Sequence, residues 1–85
     1  MEYSRARGKL PPELDGLLAS QLHTAIEEAN LGLADGHMAR RAYIDRLPQI
    51  DIACEMGLSR KTVNRRLHEA VPKIGRAAAQ FNIPQ

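Results

Sequence analysis

Within residues 59–68 the side chains of Ser59, Arg60, Lys61, Thr62, Asn64, Arg65 and His68 crowd hydrogen-bonding groups into one short stretch, and no carboxylate enters until Glu69. Arginine and lysine match the two acceptors that guanine shows in the major groove. An asparagine amide, with one donor side and one acceptor side, matches adenine. Hydroxyls and further cations suit phosphate oxygens, which position a protein on a duplex without reading its sequence. The chemistry these residues could do is recognition of double-stranded DNA. Arg60, Lys61, Asn64 and Arg65 are the candidates for base edges; Ser59, Thr62, Gln49, Arg40, Arg41 and His68 are the candidates for phosphates.

Such side chains read bases only when a rigid element carries them into the groove, and residues 49–70 have the spacing of a helix-turn-helix. Ala53 is small enough for two helices to approach closely, and Gly57 can take the positive-φ turn that a larger residue resists. Leu58 closes the turn from inside, and Ser59 supplies an N-cap oxygen for the second helix. Ile52 and Met56 share one side of the first helix; Val63, Leu67 and Ala70 share one side of the second. With those sides turned to a common core, the basic residues are left outward. The other reading of the same residues is a helical hairpin inside a bundle, its basic side chains a solvated face. That arrangement requires only some of these features.

The residues Asp51-Ile52-Ala53, Met56-Gly57-Leu58-Ser59, Thr62-Val63 and Arg65-Arg66-Leu67-His68-Glu69-Ala70 resemble region four of bacterial sigma factors and the sigma-like helix-turn-helix proteins of bacteriophages. In those families an acidic residue precedes Ile-Ala, and Leu-Gly-Ile/Val-Ser, Thr-Val and Arg-Leu follow. The upstream Tyr43-Ile44-Asp45-Arg46-Leu47, in so short a chain, is also similar to phage late-gene activators and Q-type antiterminators. The resemblance implies groove binding at Arg60, Lys61, Asn64 and Arg65, with Ser59 and Thr62 at phosphates. It does not carry over promoter opening, because the regions that hold core promoter and polymerase in a full sigma factor have no counterpart in these residues. The chain departs from the pattern at Arg46 and Pro48, where a glycine and a serine or threonine cap usually precede the motif. It departs again at Pro72, inside what is usually one long recognition helix.

Around the motif, apolar spacing predicts further helices. Residues 1 to 12 are small, basic and closed by Pro11-Pro12, the composition of a flexible arm. From Glu13 to Asn30, Leu14, Leu18, Leu22, Ala25, Ile26 and Ala29 recur at helical spacing, with Leu17 widening the stripe. A break with Gly32 and Gly36 follows, with Asp35 expected to accept hydrogen bonds at the start of the next helix. That helix is expected to reach Leu47, with Met38, Ala42 or Tyr43, Ile44 and Leu47 inward and Arg40, Arg41 and Arg46 outward. Pro48 forces a boundary before the motif. The recognition helix is expected to run from Arg60 to Ala70 or Val71, with Pro72 breaking it. A short last helix to Phe81, with Ile74, Ala77, Ala78 and Phe81 on one side, and a loose tail at 82–85 complete the chain. The expectation is an all-α protein, a small bundle of four to five helices over residues 13–81.

Composition narrows the function. With 85 residues, 44% of them hydrophobic and three aromatic, the core must be aliphatic and small, which leaves no room for a large substrate cavity. No run approaches the roughly 18 apolar residues of a membrane helix, and Met1–Arg7 leads into no signal-peptide core, so the protein is expected to be cytoplasmic, with no membrane partner. Cys54 is the single cysteine and is expected to serve packing; the three histidines are scattered, so no metal site or other cofactor is expected. No nucleophile with its base, carboxylate pair or glycine-rich phosphate loop appears at workable spacing, and an enzyme is the poorest fit. Charge is asymmetric: residues 1–35 carry a net −3 and residues 36–85 a net +5, within a formal total of +2. A polyanion would meet the second half.

These observations point to a transcriptional regulator, bacterial or phage-encoded, that binds duplex DNA with its recognition helix. An alternative of a different class is a small module that binds RNA polymerase or its sigma factor, with DNA contact secondary. One motif of this size touches few base pairs, so a homodimer or a second DNA-bound partner is also expected. The stripe Leu14, Leu18, Leu22 and Ile26 could serve either as a dimer seam or as part of the domain's own core.

Overall fold

Four α-helices follow a short 3-10 turn at Pro12–Leu14: α1 (Ala19–Glu28), α2 (Leu33–Tyr43), α3 (Gln49–Met56) and α4 (Arg60–Phe81). They are seen in a computed structural model that describes residues 10–81, and among these residues there is no strand. The arrangement is the expected all-α bundle. Helix α4 touches the 3-10 turn and each of the other three helices, so the other described elements are built around it. At about 1.5 Å per residue it is roughly 33 Å long, comparable with the largest dimension of the molecule, 37 Å.

The core is a single aliphatic cluster to which every element contributes. Leu14 comes from the 3-10 turn, Leu22, Ala25 and Ile26 from α1, Met38 and Ala39 from α2, and Ile52 and Ala53 from α3. Helix α4 adds Val63, Leu67, Ala70, Ile74, Ala77 and Ala78. Burial of each large side chain contributes about 1.5–3 kcal/mol, and no polar or charged residue is buried among the described residues. The Leu14, Leu22 and Ile26 stripe is therefore consumed internally. Of the two uses open to this stripe, the core takes three of its four residues and leaves Leu18 65% exposed, so α1 offers no continuous apolar surface for a dimer seam.

Four boundaries differ from expectation, each for a local reason. The segment from Glu13 to Asn30 is not one helix, because Asp15 is extended and Gly16 takes φ +90°, a conformation that ends a right-handed helix. Helix α1 then starts after Leu18, whose backbone N–H donates to Gln21 Oε1 at 2.8 Å, half of a capping box. The cap expected from Asp35 is also absent. Gly32, at φ +97°, precedes α2, and Gly36 lies buried within that helix rather than breaking the chain before it; α2 also ends at Tyr43, short of the expected Leu47, ahead of Arg46 at φ +63°, which a right-handed helix cannot contain.

The fourth difference is the largest: α4 passes through Pro72 without stopping, so no separate last helix exists. A proline inside a helix removes one hydrogen bond and costs about 3 kcal/mol. His68 and Pro72 both lie on the exposed side, where water can serve the His68 carbonyl that the ring leaves without its partner. Beyond the proline, Ile74, Ala77 and Ala78 return to the core, and their burial outweighs the lost bond. Gly75 lets the 3-10 turn sit close against this part of α4, since a Cβ there would come within 3.2 Å of Glu13 Cβ.

Leu10, placed in the flexible arm by composition, packs against the core, and Pro12 starts the 3-10 turn. The arm residues 1–9, with Arg5, Arg7 and Lys9, the tail 82–85 and the packing expected of the Phe81 side chain lie outside the described residues. Cys54 is exposed on α3, not packed as expected.

Candidate nucleic-acid interface

The turn between α3 and α4 is closed by backbone geometry. Gly57 takes φ +70°; its N–H donates toward the carbonyls of Ala53 and Cys54, and the Leu58 N–H donates to the Ala53 carbonyl at 2.9 Å. This is the Schellman ending of a helix, in which a left-handed residue satisfies the last free carbonyls. Half-buried Leu58 packs against the core beneath the turn. Ser59 caps α4: its Oγ accepts the Thr62 backbone N–H at 3.1 Å and donates to Thr62 Oγ1 at 2.9 Å. The Ser59 hydroxyl is thus engaged inside the motif, and the Thr62 hydroxyl keeps its own proton for an outside acceptor.

With Val63, Leu67 and Ala70 inward, helical spacing leaves Arg60, Lys61, Asn64, Arg65 and His68 exposed on the first half of α4. Among the described residues no carboxylate pairs with Arg60, Lys61 or Arg65. These five side chains stay exposed with the second half of α4 in place, so the described C-terminal residues do not cover this side. Gln49, half-buried in the first turn of α3, accepts a hydrogen bond at Oε1 from Asn64 Nδ2 at 3.3 Å. A groove of about 640 Å³ opens beside that pair, walled by Leu10, Tyr43, Leu47, Leu67 and Val71. Burial pushes the Tyr43 phenol up to about 12, and the charge of Glu13 adds to the effect.

The remaining cations divide by what holds them. Arg41 donates from Nε and Nη2 to the two carboxylate oxygens of Glu55 at 3.0 and 2.8 Å, and from Nη1 to Asp45 Oδ2 at 2.8 Å. His37 Nε2 lies 3.4 Å from Glu55 Oε1 on the other side. Its hydrogen bonds to Glu55 and then to Asp45 hold the Arg41 guanidinium firmly in its charged form. The same Arg41 bonds hold the Glu55 carboxyl below its usual range. Arg41 therefore ties α2 to α3 and has its charge matched within the protein. Arg66 Nη2 lies 2.9 Å from Asp35 Oδ1, a charge contact short of hydrogen-bond geometry that ties α4 to α2.

The structure joins Gln49 to Asn64 across α3 and α4, leaves Arg60, Lys61, Asn64, Arg65 and His68 exposed along the first half of α4, and sets Ser59 and Thr62 at its cap. Arg40 and Arg41 stand on α2, and Arg41 reaches α3 through Glu55. Sequence reasoning missed the clamps at Arg66–Asp35 and Arg41–Glu55. The sequence does contain a signal for Arg41–Asp45, an oppositely charged i, i+4 pair, but none for the two contacts between helices.

Compared with protein-family models, curated proteins and solved structures, the chain has no match. Among the described residues no helix is long and apolar enough to cross a membrane, and no three His, Cys, Asp or Glu side chains are grouped to hold a metal ion.

Proposed function

We propose that this chain is a sequence-specific regulator of transcription that binds double-stranded DNA, with the first half of α4 in the major groove and the first turn of α3 against a phosphate. The observation that carries this reading is the state of Arg60, Lys61 and Arg65. They are exposed, have no carboxylate partner among the described residues, and stand on a helix whose opposite side is buried. Guanidinium and ammonium groups there suit guanine, and each good bidentate pair contributes about 1–3 kcal/mol of discrimination.

The likeness to sigma region four supports the same reading, and its departures are compatible with the motif. Arg46 adopts φ +63°, the backbone conformation that a glycine takes easily, and Pro48 stands at the N-cap of α3. Pro72 leaves α4 continuous. In this reading Arg40 and Thr62 are free to meet phosphates, while Arg41 and Ser59 hold the motif's shape.

Selection of bound duplexes from a random pool, at two salt concentrations, tests the proposal. The expected outcome is enrichment of a short shared element containing guanine, with weaker retention at higher salt. A pool that stays random after repeated rounds rejects the proposal.

A further inference from the structure

We infer that Gln49 is a specificity-determining residue: by holding one amide proton of Asn64, it makes Asn64 a reader of adenine and excludes guanine. The inference rests on the DNA-binding reading above and extends it to the base at one position. The Asn64 amide has two N–H donors on Nδ2 and an acceptor at Oδ1. One donor is committed to Gln49 Oε1 at 3.3 Å, and among the described residues no other hydrogen bond engages this side chain. What Asn64 presents outward is then one donor and one acceptor.

In the major groove adenine offers the complement, an acceptor at N7 and a donor at N6, whereas guanine offers acceptors at both N7 and O6. A restrained Asn64 satisfies adenine fully. Against guanine it sets its Oδ1 facing O6, two acceptors with no proton between them. Leaving desolvated polar groups unpaired in this way is what separates similar ligands most sharply. The restraint comes from α3, a different helix from the one that carries Asn64, so the Schellman turn at Gly57 sets the register between reader and holder. Gln49 is a positioning residue here, acting on the base through Asn64.

The inference gives Gln49→Ala and Gln49→Glu opposite signatures. A glutamate retains an acceptor for the Asn64 N–H but adds a charge that repels phosphate. It should keep the base preference while weakening binding to every sequence. An alanine releases the second N–H and lets the amide turn, so the preference should collapse.

The experiment measures affinity of the full chain for the selected duplex and for the duplex with one A·T pair changed to G·C. That pair is the one whose preference vanishes in Asn64→Ala. The parent and Gln49→Glu should prefer adenine by about 5- to 100-fold, and Gln49→Ala by no more than about twofold. If the parent prefers guanine there, Asn64 accepts from Gln49 instead of donating to it, and the inference is overturned. It is overturned as well if Gln49→Ala keeps the adenine preference, or if Asn64→Ala loses no base preference at all. Absence of any selected duplex rejects the DNA-binding reading itself, an outcome separable from the others because binding, not its ratio, is then missing.

Discussion

Each polar side chain near the motif has donors and charges that are either engaged within the protein or available outside it, and that division assigns its role. Arg41 and Arg66 face carboxylates on other helices, and Ser59 serves the backbone of α4. Arg60, Lys61 and Arg65 carry the same chemistry without such partners among the described residues. The Arg41–Glu55 bond also has a pH signature. The Glu55 carboxyl is held below its ordinary value of 4.5, first by its hydrogen bonds to Arg41. A carboxyl lowered in the folded state contributes stability that is fully present above its unfolded value and is lost as pH falls through the folded one. Urea midpoints measured from neutral pH downward should therefore fall more steeply below about pH 4.5 for the parent than for Glu55→Gln. Parallel curves would mean that this carboxylate does not help hold α3 against α2.

Among the elements, the α3–α4 turn and the length of α4 show what the sequence discloses and what it conceals. The turn was legible because Gly57, Leu58 and Ser59 act within a few residues of one another, through local backbone geometry. A Cβ at Gly57 would meet nothing within 4 Å, so Gly57→Ala is penalised by its φ of +70° alone. The expected loss in thermal or urea unfolding is about 1–2 kcal/mol, with Gly57→Asn recovering part of it; an unchanged midpoint for Gly57→Ala would remove the glycine from the account. Local rules misplaced the end of α4, since a proline was expected to break the helix. Its continuation depends on Ile74, Ala77 and Ala78 finding the core, a tertiary gain that neighbours in sequence do not reveal. The first predicted helix failed the other way: its apolar spacing was correct, but Gly16 turned the chain and left Leu18 outside. The exposed basic side of α4, which we propose reads bases, was legible as a surface because it is what remains of one helix after its apolar side is removed. The Asn64–Gln49 bond was not, because it joins residues fifteen apart across the turn.

For the whole molecule, size and charge set what binding can achieve. A chain of 85 residues with a net +5 over residues 36–85 can be drawn to DNA by charge alone, and such attraction is salt-sensitive and indifferent to sequence. The central claim is that selectivity comes on top of this from the exposed side of α4. The most direct measurement is anisotropy titration of the selected duplex and a scrambled duplex of the same composition, for the parent and for Lys61→Ala with Arg65→Ala. The parent should favour the selected duplex by at least about tenfold, and the double variant should bind both duplexes alike at a lower salt slope. A double variant that keeps the full preference would contradict the account, because the sequence would then be read by some other surface.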